Sequence, residues 1–315
     1  MSTSRALVLG GNGFLGSHLV DALAAGGYQV DVLGRDPTLF NPGLVSQHAP
    51  RLRYHQGSFS DVELMRTLLT GADVIFHLVS STIPASSNLN PVADIEDNLI
   101  ATVRMLDLLR EMPPKRVIYI SSGGTVYGTP EYIPIPETHR LDPKNSYGIV
   151  KVAAEKYLHM YHELYGMNSL VLRLANPFGP RQMKIGVQGV IATVLMSVLH
   201  DKPITIWGDG GVVRDYVYIE DVTRLLLLVM DSPLLGTFNV GSGMGHSLQD
   251  ILSIAEKITG KPPQVNYLPS RSFDIPEVVL DIGRIRYKVG WQPEVSLVEG
   301  MTRHWHWLQQ HTDGI

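Results

Sequence analysis

Short apolar runs recur along the first part of the chain, and the stretches between them carry apolar residues at helical spacing. The runs are ALVLG (6–10), YQVDVL (28–33), LRYHQ (52–56), DVIFHLV (73–79), RVIYISS (116–122) and SLVLRLA (169–175). Strands of near-continuous apolar character separated by helices belong to a parallel sheet covered on both faces. Among the intervening segments, NLIATVRMLDLLREM (98–112) sets Leu99, Val103, Leu106 and Leu109 at helical spacing, and Pro113 and Pro114 end it. The pattern predicts an α/β chain built on a doubly wound parallel sheet. After Ala175 the texture changes. NPFGPRQ, IWGDGGVVRDYVYIEDV and the irregular stretch from Pro262 to Pro276 are Gly- and Pro-rich loops around short elements, where a scaffold usually carries specificity. The expected organisation is a first portion, 1–175, joined by a strand and helix from about 215–241, and a smaller α/β carboxy-terminal portion, 176–315, that binds substrate.

Composition narrows the partners. The 315 residues suffice for a real core, and a net charge of -4 with 18% charged residues gives no electrostatic footprint for nucleic acid or an anionic membrane. There is no cysteine, so disulfides, thiolate nucleophiles and thiolate metal sites are excluded. The first apolar run is too short for a signal-peptide core, and the longest, Leu225 to Met230, is far below the roughly 20 residues that span a bilayer. A soluble, cytoplasmic protein is expected.

Candidate chemistry begins at LVLGGNGFLGSHLVDAL, which runs from the first strand into the first helix. Gly10, Gly13 and Gly16 lie on the turn, and Gly11, Gly13 and Gly16 satisfy GxGxxG. Glycines so spaced let the backbone turn tightly and approach a pyrophosphate, while the free amides of the helix start face the anion. A dinucleotide is the expected ligand. At the end of the second strand, where an NAD site usually carries an acid for the ribose hydroxyls, VDVLGRDP offers Gly34 and then Arg35. Asp31 lies inside the strand and Asp36 comes two places late. NAD is the expected cofactor, and the Gly34–Arg35 pair leaves NADP open because it leaves room for a 2'-phosphate. QGSFSD offers Ser58, Phe59 and Asp61 on the adenine side.

NSYGIVKVAAEKY (145–157) sets Tyr147 and Lys151 one helical turn apart, facing the same way. SSGGTVYG (121–128) stands at the end of the fifth strand, and ligands of doubly wound sheets sit outside the carboxyl ends of the strands. Phenol, ammonium and hydroxyls can meet there. A free tyrosine has a pKa of about 10, too high for a base at neutral pH, but a neighbouring ammonium and a cationic nicotinamide would each favour phenolate. Such a phenolate could take a proton from a sugar hydroxyl as hydride leaves the same carbon.

The glycine loop, HLVSS (77–81), Asn98, SSGGTVYG, the Tyr147–Lys151 spacing, LRLANPFGP, WGDGGVVRDYVYIEDV and RSFDIP together resemble the extended short-chain dehydrogenase/reductase superfamily. Within it they resemble nucleotide-sugar 4-epimerases of the UDP-glucose 4-epimerase type, from residue 5 to about residue 310. The resemblance implies a Rossmann sheet, NAD, a UDP-sugar substrate and a homodimer formed through the Tyr147 helix and the long helix before it. It makes Tyr147 the base and Lys151 the residue that lowers its pKa and holds the nicotinamide ribose. Phe14, Leu15, Leu78, Val79, Ser80 and Asn98 join the glycines around the cofactor. Asn176 and Gln188 fall to the substrate, and Arg214 and Arg271 to its diphosphate, a task suited to a planar fork of donors. Asp274 matches an acid for the uridine ribose. Trp207 lies against the uracil-side loop or in the core.

One departure matters. The catalytic serine of such proteins stands three residues before the VYG valine, where this chain has Gly123, so the hydroxyl must come from Thr125, the preferred candidate, or from Ser122. Dehydratases and decarboxylases that resemble this chain carry acids just before VYG, whereas Gly124 and Thr125 stand here, which favours epimerisation. Val278, where some relatives carry a bulky tyrosine, leaves room for an N-acetyl group. The expected activity is interconversion of UDP-glucose and UDP-galactose, or of UDP-GlcNAc and UDP-GalNAc. The alternatives are a UDP-uronic-acid epimerase, an NADP-dependent keto-sugar reductase, and a nonenzymatic dinucleotide-binding redox sensor. His304 and His306, two apart on a helix, do not share a face, so no metal site is expected there.

Overall fold

The structure, a computed structural model, describes residues 4–36, 51–84, 86–113, 115–182, 189–270 and 275–311. The chain divides into two compact units: Met1–Val126 with Leu141–Arg173 and Thr223–Phe238, and Tyr127–Arg140 with Leu174–Val222 and Asn239–Ile315. The segment after Val126 joins the second unit, although it lies inside the portion expected to be the first. Asn239 explains this. Its side chain accepts from the Tyr127 hydroxyl at 2.6 Å and donates to the carbonyls of Ile135 at 2.8 Å and Asp281 at 3.2 Å.

The strands in chain order are β1 (Arg5–Leu9), β2 (Gln29–Gly34), β3 (Leu52–Gln56), β4 (Val74–His77), β5 (Arg116–Ser122), β6 (Asn168–Leu174), β7 (Asn176–Phe178), β8 (Ile204–Trp207), β9 (Val213–Tyr218), β10 (Gly236–Val240), β11 (Gly245–Ser247), β12 (Val265–Leu268) and β13 (Glu277–Val278). A seven-stranded sheet takes the order β10-β6-β5-β4-β1-β2-β3, with parallel pairing from β3 through β2, β1 and β4 to β5. Ala6 to Leu9, Ile75, Phe76, Val117 and Ile118 are all buried, so these strands are covered on both faces and must be apolar throughout. Because β4 follows β1 in space while β2 and β3 lie on the other side, connections diverge at the β1–β4 pair and a crevice opens at the carboxyl ends of those strands.

The helix expected over 98–112 starts earlier. It is α-helical over Pro91–Asp94, π-helical over Ile95–Ile100 and α-helical again over Ala101–Arg110. Asn90 caps its start by accepting from the Ala93 amide at 3.2 Å, with Pro91 in the first turn, two start signals that apolar spacing alone does not register. The π turn, a form often found at functional sites, contains Asn98. The helix Ser146–Tyr165 begins at Asn145, whose side chain accepts from the Gly148 amide at 2.8 Å, and ends at Gly166 with φ of 66°.

In the second unit, β9 pairs in parallel with β7 and β13 and antiparallel with β11, while β8 pairs with β12. Asp215 on β9 is wholly buried and holds the 242–243 turn by accepting from the Ser242 amide and hydroxyl, each at 2.7 Å, and from the Gly243 amide at 3.1 Å.

Candidate active site

The glycine loop closes in a way that only glycine allows. Gly10 has φ of 84°, a Cβ on Gly11 would come within 2.6 Å of Val32, and a Cβ on Gly16 would strike the Gly10 carbonyl. The helix Phe14–Ala25 starts at Gly13 with no side chain bonded to its first amides. Free amides at the positive end of a helix, under a backbone that nothing shields, fit the diphosphate of a dinucleotide. Leu78 bonds back to the Leu9 carbonyl at 3.1 Å, and Val79 lies against Gly10, so the β1 and β4 loops form one rim, with Phe14 and Leu15 half-buried at the start of the helix. NAD fits these residues.

Gly34 has its own reason. A Cβ there would come within 2.7 Å of both Asn12 and the Tyr54 hydroxyl, so a larger residue at the end of β2 would have to displace those side chains. Arg35 and Ser58 are exposed, Phe59 is buried against the His77 ring at 4.7 Å, and Asp61 caps the next helix through the Leu64 amide at 3.1 Å. Asp31 is enclosed in the sheet between Arg5 and His55 and does not reach the ribose position.

At the end of β5, the Tyr147 and Lys151 side chains come together. Gly148 lets the helix start close on the β5 loop: a Cβ there would lie 2.9 Å from the Thr125 carbonyl. The Lys151 ammonium lies 5.5 Å from the centre of the Tyr147 ring and 4.8 Å from that of Tyr119, and donates to the Ile120 carbonyl at 2.9 Å. Ser122 and Ser80 lie close enough to the Tyr147 phenol to favour its anion. Thr125, the preferred substitute for the missing serine, does not take that place: its Oγ1 is buried without a hydrogen bond. Ser122 reaches the phenol because it ends the strand, whereas Thr125 lies beyond the Gly123–Gly124 turn.

Burial pushes the Tyr147 phenol up to about 12, Asp94 adds to this, and the bonds from Ser122 and Ser80 oppose it. The expectation of a phenol held anionic by Lys151 is therefore not met by the chain alone, because the cost of burying a phenolate exceeds what these donors return. Burial lowers Lys151 to about 8, with Glu155 and Asp94 opposing, so the ammonium persists at neutral pH.

Glu155, Arg173 and Asp94 belong to this centre and were missed in the sequence. Glu155 lies one turn beyond Lys151, accepts from Arg173 at 2.7 Å and from the Ser121 hydroxyl, and is buried with its partner. The visible signal was a charged residue on the face that Tyr147 and Lys151 share, four places on.

Of the expected substrate residues, Gln188, Arg271 and Asp274 lie outside the described residues. Three others gather along β9: Asn176 donates to the Asp215 carbonyl at 2.9 Å, Arg214 lies on β9 itself, and Val278, only 3% exposed, pairs with Arg214. Trp207 stands on β8 and is 41% exposed, which favours the loop position over the core. His304 is buried and His306 exposed on their shared helix.

Comparison with known proteins is consistent in class. Residues 6–241 match the model of the NAD dependent epimerase/dehydratase family. A UDP-glucose 4-epimerase of Mycolicibacterium smegmatis is 34% identical over 95% of this chain and 96% of its own length. Among solved structures, the Thermotoga maritima UDP-glucose 4-epimerase with UDP-glucose superposes with a TM-score of 0.90 at 34% identity, covering 98% of this chain and 99% of the other. A UDP-N-acetylglucosamine 4-epimerase of Methanobrevibacter ruminantium, in complex with UDP-N-acetylmuramic acid, gives 0.91 at 26% identity over 98% and 99%.

Proposed function

The chain belongs to the NAD dependent epimerase/dehydratase family, and from that premise we propose that it is a UDP-hexose 4-epimerase interconverting UDP-glucose and UDP-galactose through a transient 4-keto sugar. The observation that carries the reading is the Ser122–Tyr147–Lys151 cluster with Gly124 and Thr125 on the same loop, a base and hydroxyls with no acid at 124 or 125 to eliminate water.

NAD held by the glycine loop and the β4 rim would supply reversible hydride chemistry and a positively charged ring. The protein's residues govern the proton. Tyr147 takes it from the sugar 4-hydroxyl and gives it back, Ser122 favours the phenolate, and Lys151 keeps an ammonium nearby. Burial raises the phenol to about 12, and added positive charge would lower it. Arg214 and Asn176 serve the diphosphate in this reading.

A second substrate pair, UDP-GlcNAc and UDP-GalNAc, is favoured by the small side chain at Val278. The partner is proposed to be a second copy of the chain. Ile149, Tyr157, Met160 and Leu164 recur along one helix and stay exposed, Leu164 at 63%.

Purified protein incubated separately with UDP-galactose and UDP-GalNAc should produce the epimer with no net consumption of added NADPH. Tyr147→Phe should lower kcat by about 100-fold or more. Net NADPH oxidation, or a phenylalanine variant as active as the parent, overturns the proposal.

A further inference from the structure

We propose that Asp94 is a positioning residue for the proton-transfer step, tying the helix start that carries Tyr147 to the β4 loop through a hydrogen-bonded junction. The inference rests on the epimerase reading above. Asp94 is fully buried and its carboxylate accepts three side-chain donors: Thr82 Oγ1 at 2.6 Å and Asn98 Nδ2 at 2.9 Å on Oδ1, and Ser146 Oγ at 2.7 Å on Oδ2. Each donor belongs to a different piece of the site. Ser146 opens the helix and precedes Tyr147. Thr82 ends the loop whose Ser80 donates to its carbonyl at 2.9 Å. Asn98 accepts from the Ser81 amide at 2.9 Å and donates to the Ser81 hydroxyl at 2.9 Å. The path from Ser80 through Thr82 and Asp94 to Ser146 ties the β4 loop to the helix start that carries Tyr147.

Only a carboxylate suits the junction, because all three neighbours present donors and an ionised acid accepts without donating. A buried charge that is fully bonded is tolerated, and one left without its partners is not. The cost falls on the base. The groups facing the phenol are Lys151 on its own helix, Tyr119 on β5, Ser122 at the strand end, Ser80 on the β4 loop and Asp94 on the preceding helix, while Glu155 and Asp94 act on Lys151, which in turn acts on His77. Asp94 is the carboxylate among the groups that act on the phenol, and it makes the phenolate harder to form. Geometry is thus obtained at the expense of basicity.

The test uses the full NAD-loaded chain with D94N, and T82V and S146A as single-bond controls. D94N should lower kcat about tenfold or more while KM stays within about twofold, since the reacting groups are misplaced and the substrate contacts are not. Removing the charge lowers the phenol pKa, so the acid limb of the kcat profile should move to lower pH by about half a unit, whereas T82V and S146A should lower kcat with that limb unmoved. As a readout independent of turnover, carbon NMR of tyrosine-labelled protein, with the residue 147 signal assigned by its loss in Y147F, should show the phenol titrating at lower pH in D94N than in the parent. Parental kcat with parental titration in D94N overturns the inference. So does a loss of activity that only tracks a fall in melting temperature while the phenol titration stays put. If the parent interconverts no UDP-sugar, the epimerase reading fails by itself, and the tyrosine signal still decides whether Asp94 acts on the phenol.

Discussion

Ser122 and Thr125 differ by three places in the chain, and their surroundings separate their roles. Ser122 lies close enough to the phenol to favour its anion, while Thr125 carries a buried hydroxyl with no partner. Ser122→Ala should therefore lower kcat by about tenfold to 100-fold, whereas Thr125→Val should keep kcat within about threefold and melt no lower than the parent, because it removes an unpaired polar group of similar shape. Steady-state kinetics and thermal melts on the two variants check both halves. A two-glycine turn hides this in the sequence: counting back from Val126 finds the missing serine position but not which neighbouring hydroxyl points at Tyr147. The Tyr147–Lys151 spacing needed no such help, since helical period alone puts both on one face.

Elements set what their residues can do. The loop from β1 into the helix Phe14–Ala25 is closed by glycine, and because a Cβ on Gly16 would meet backbone, Gly16→Ala should weaken NAD binding by at least about tenfold, as read by nucleotide fluorescence titration. At the end of β4, His77 is buried, bonded through Nε2 to Thr102 at 2.8 Å, and lowered to about 3 by burial and by the charge of Lys151. The unfolded chain takes up that proton near its ordinary value of 6.5, the folded chain only near 3, so the stability that neutral His77 contributes is fully present above 6.5 and is lost as pH falls toward 3. Melting temperature should drop less over that window in His77→Asn than in the parent. The early start of the helix that carries Asn98 was readable from Asn90 and Pro91. Its π turn was not, because a single extra residue per turn leaves no mark in apolar spacing over so short a stretch.

For the whole molecule, the exposed apolar strip on Ser146–Tyr165 bears on assembly. Leu164→Asp, together with Ile149→Asp, should convert the proposed dimer to monomer in sedimentation velocity while leaving the far-ultraviolet circular dichroism unchanged, since both side chains lie outside the core. By itself the sequence determined the doubly wound sheet, the dinucleotide loop and the Tyr147–Lys151 pair. Those follow from short-range periodicity and from glycines whose spacing answers to local geometry. Only the tertiary structure decided that segment 127–140 belongs with the second unit, that Ser122 rather than Thr125 acts on the phenol, that Glu155 and Arg173 stand behind Lys151, and that burial raises the Tyr147 phenol. Each of those depends on burial or on partners brought from 30 or more positions away in most cases, such as Ser121 on Glu155 at a separation of 34 and Ser146 on Asp94 at 52. The free energy of a charge in a protein is fixed by its solvation and its neighbours in space, and neither is written in the order of residues along the chain.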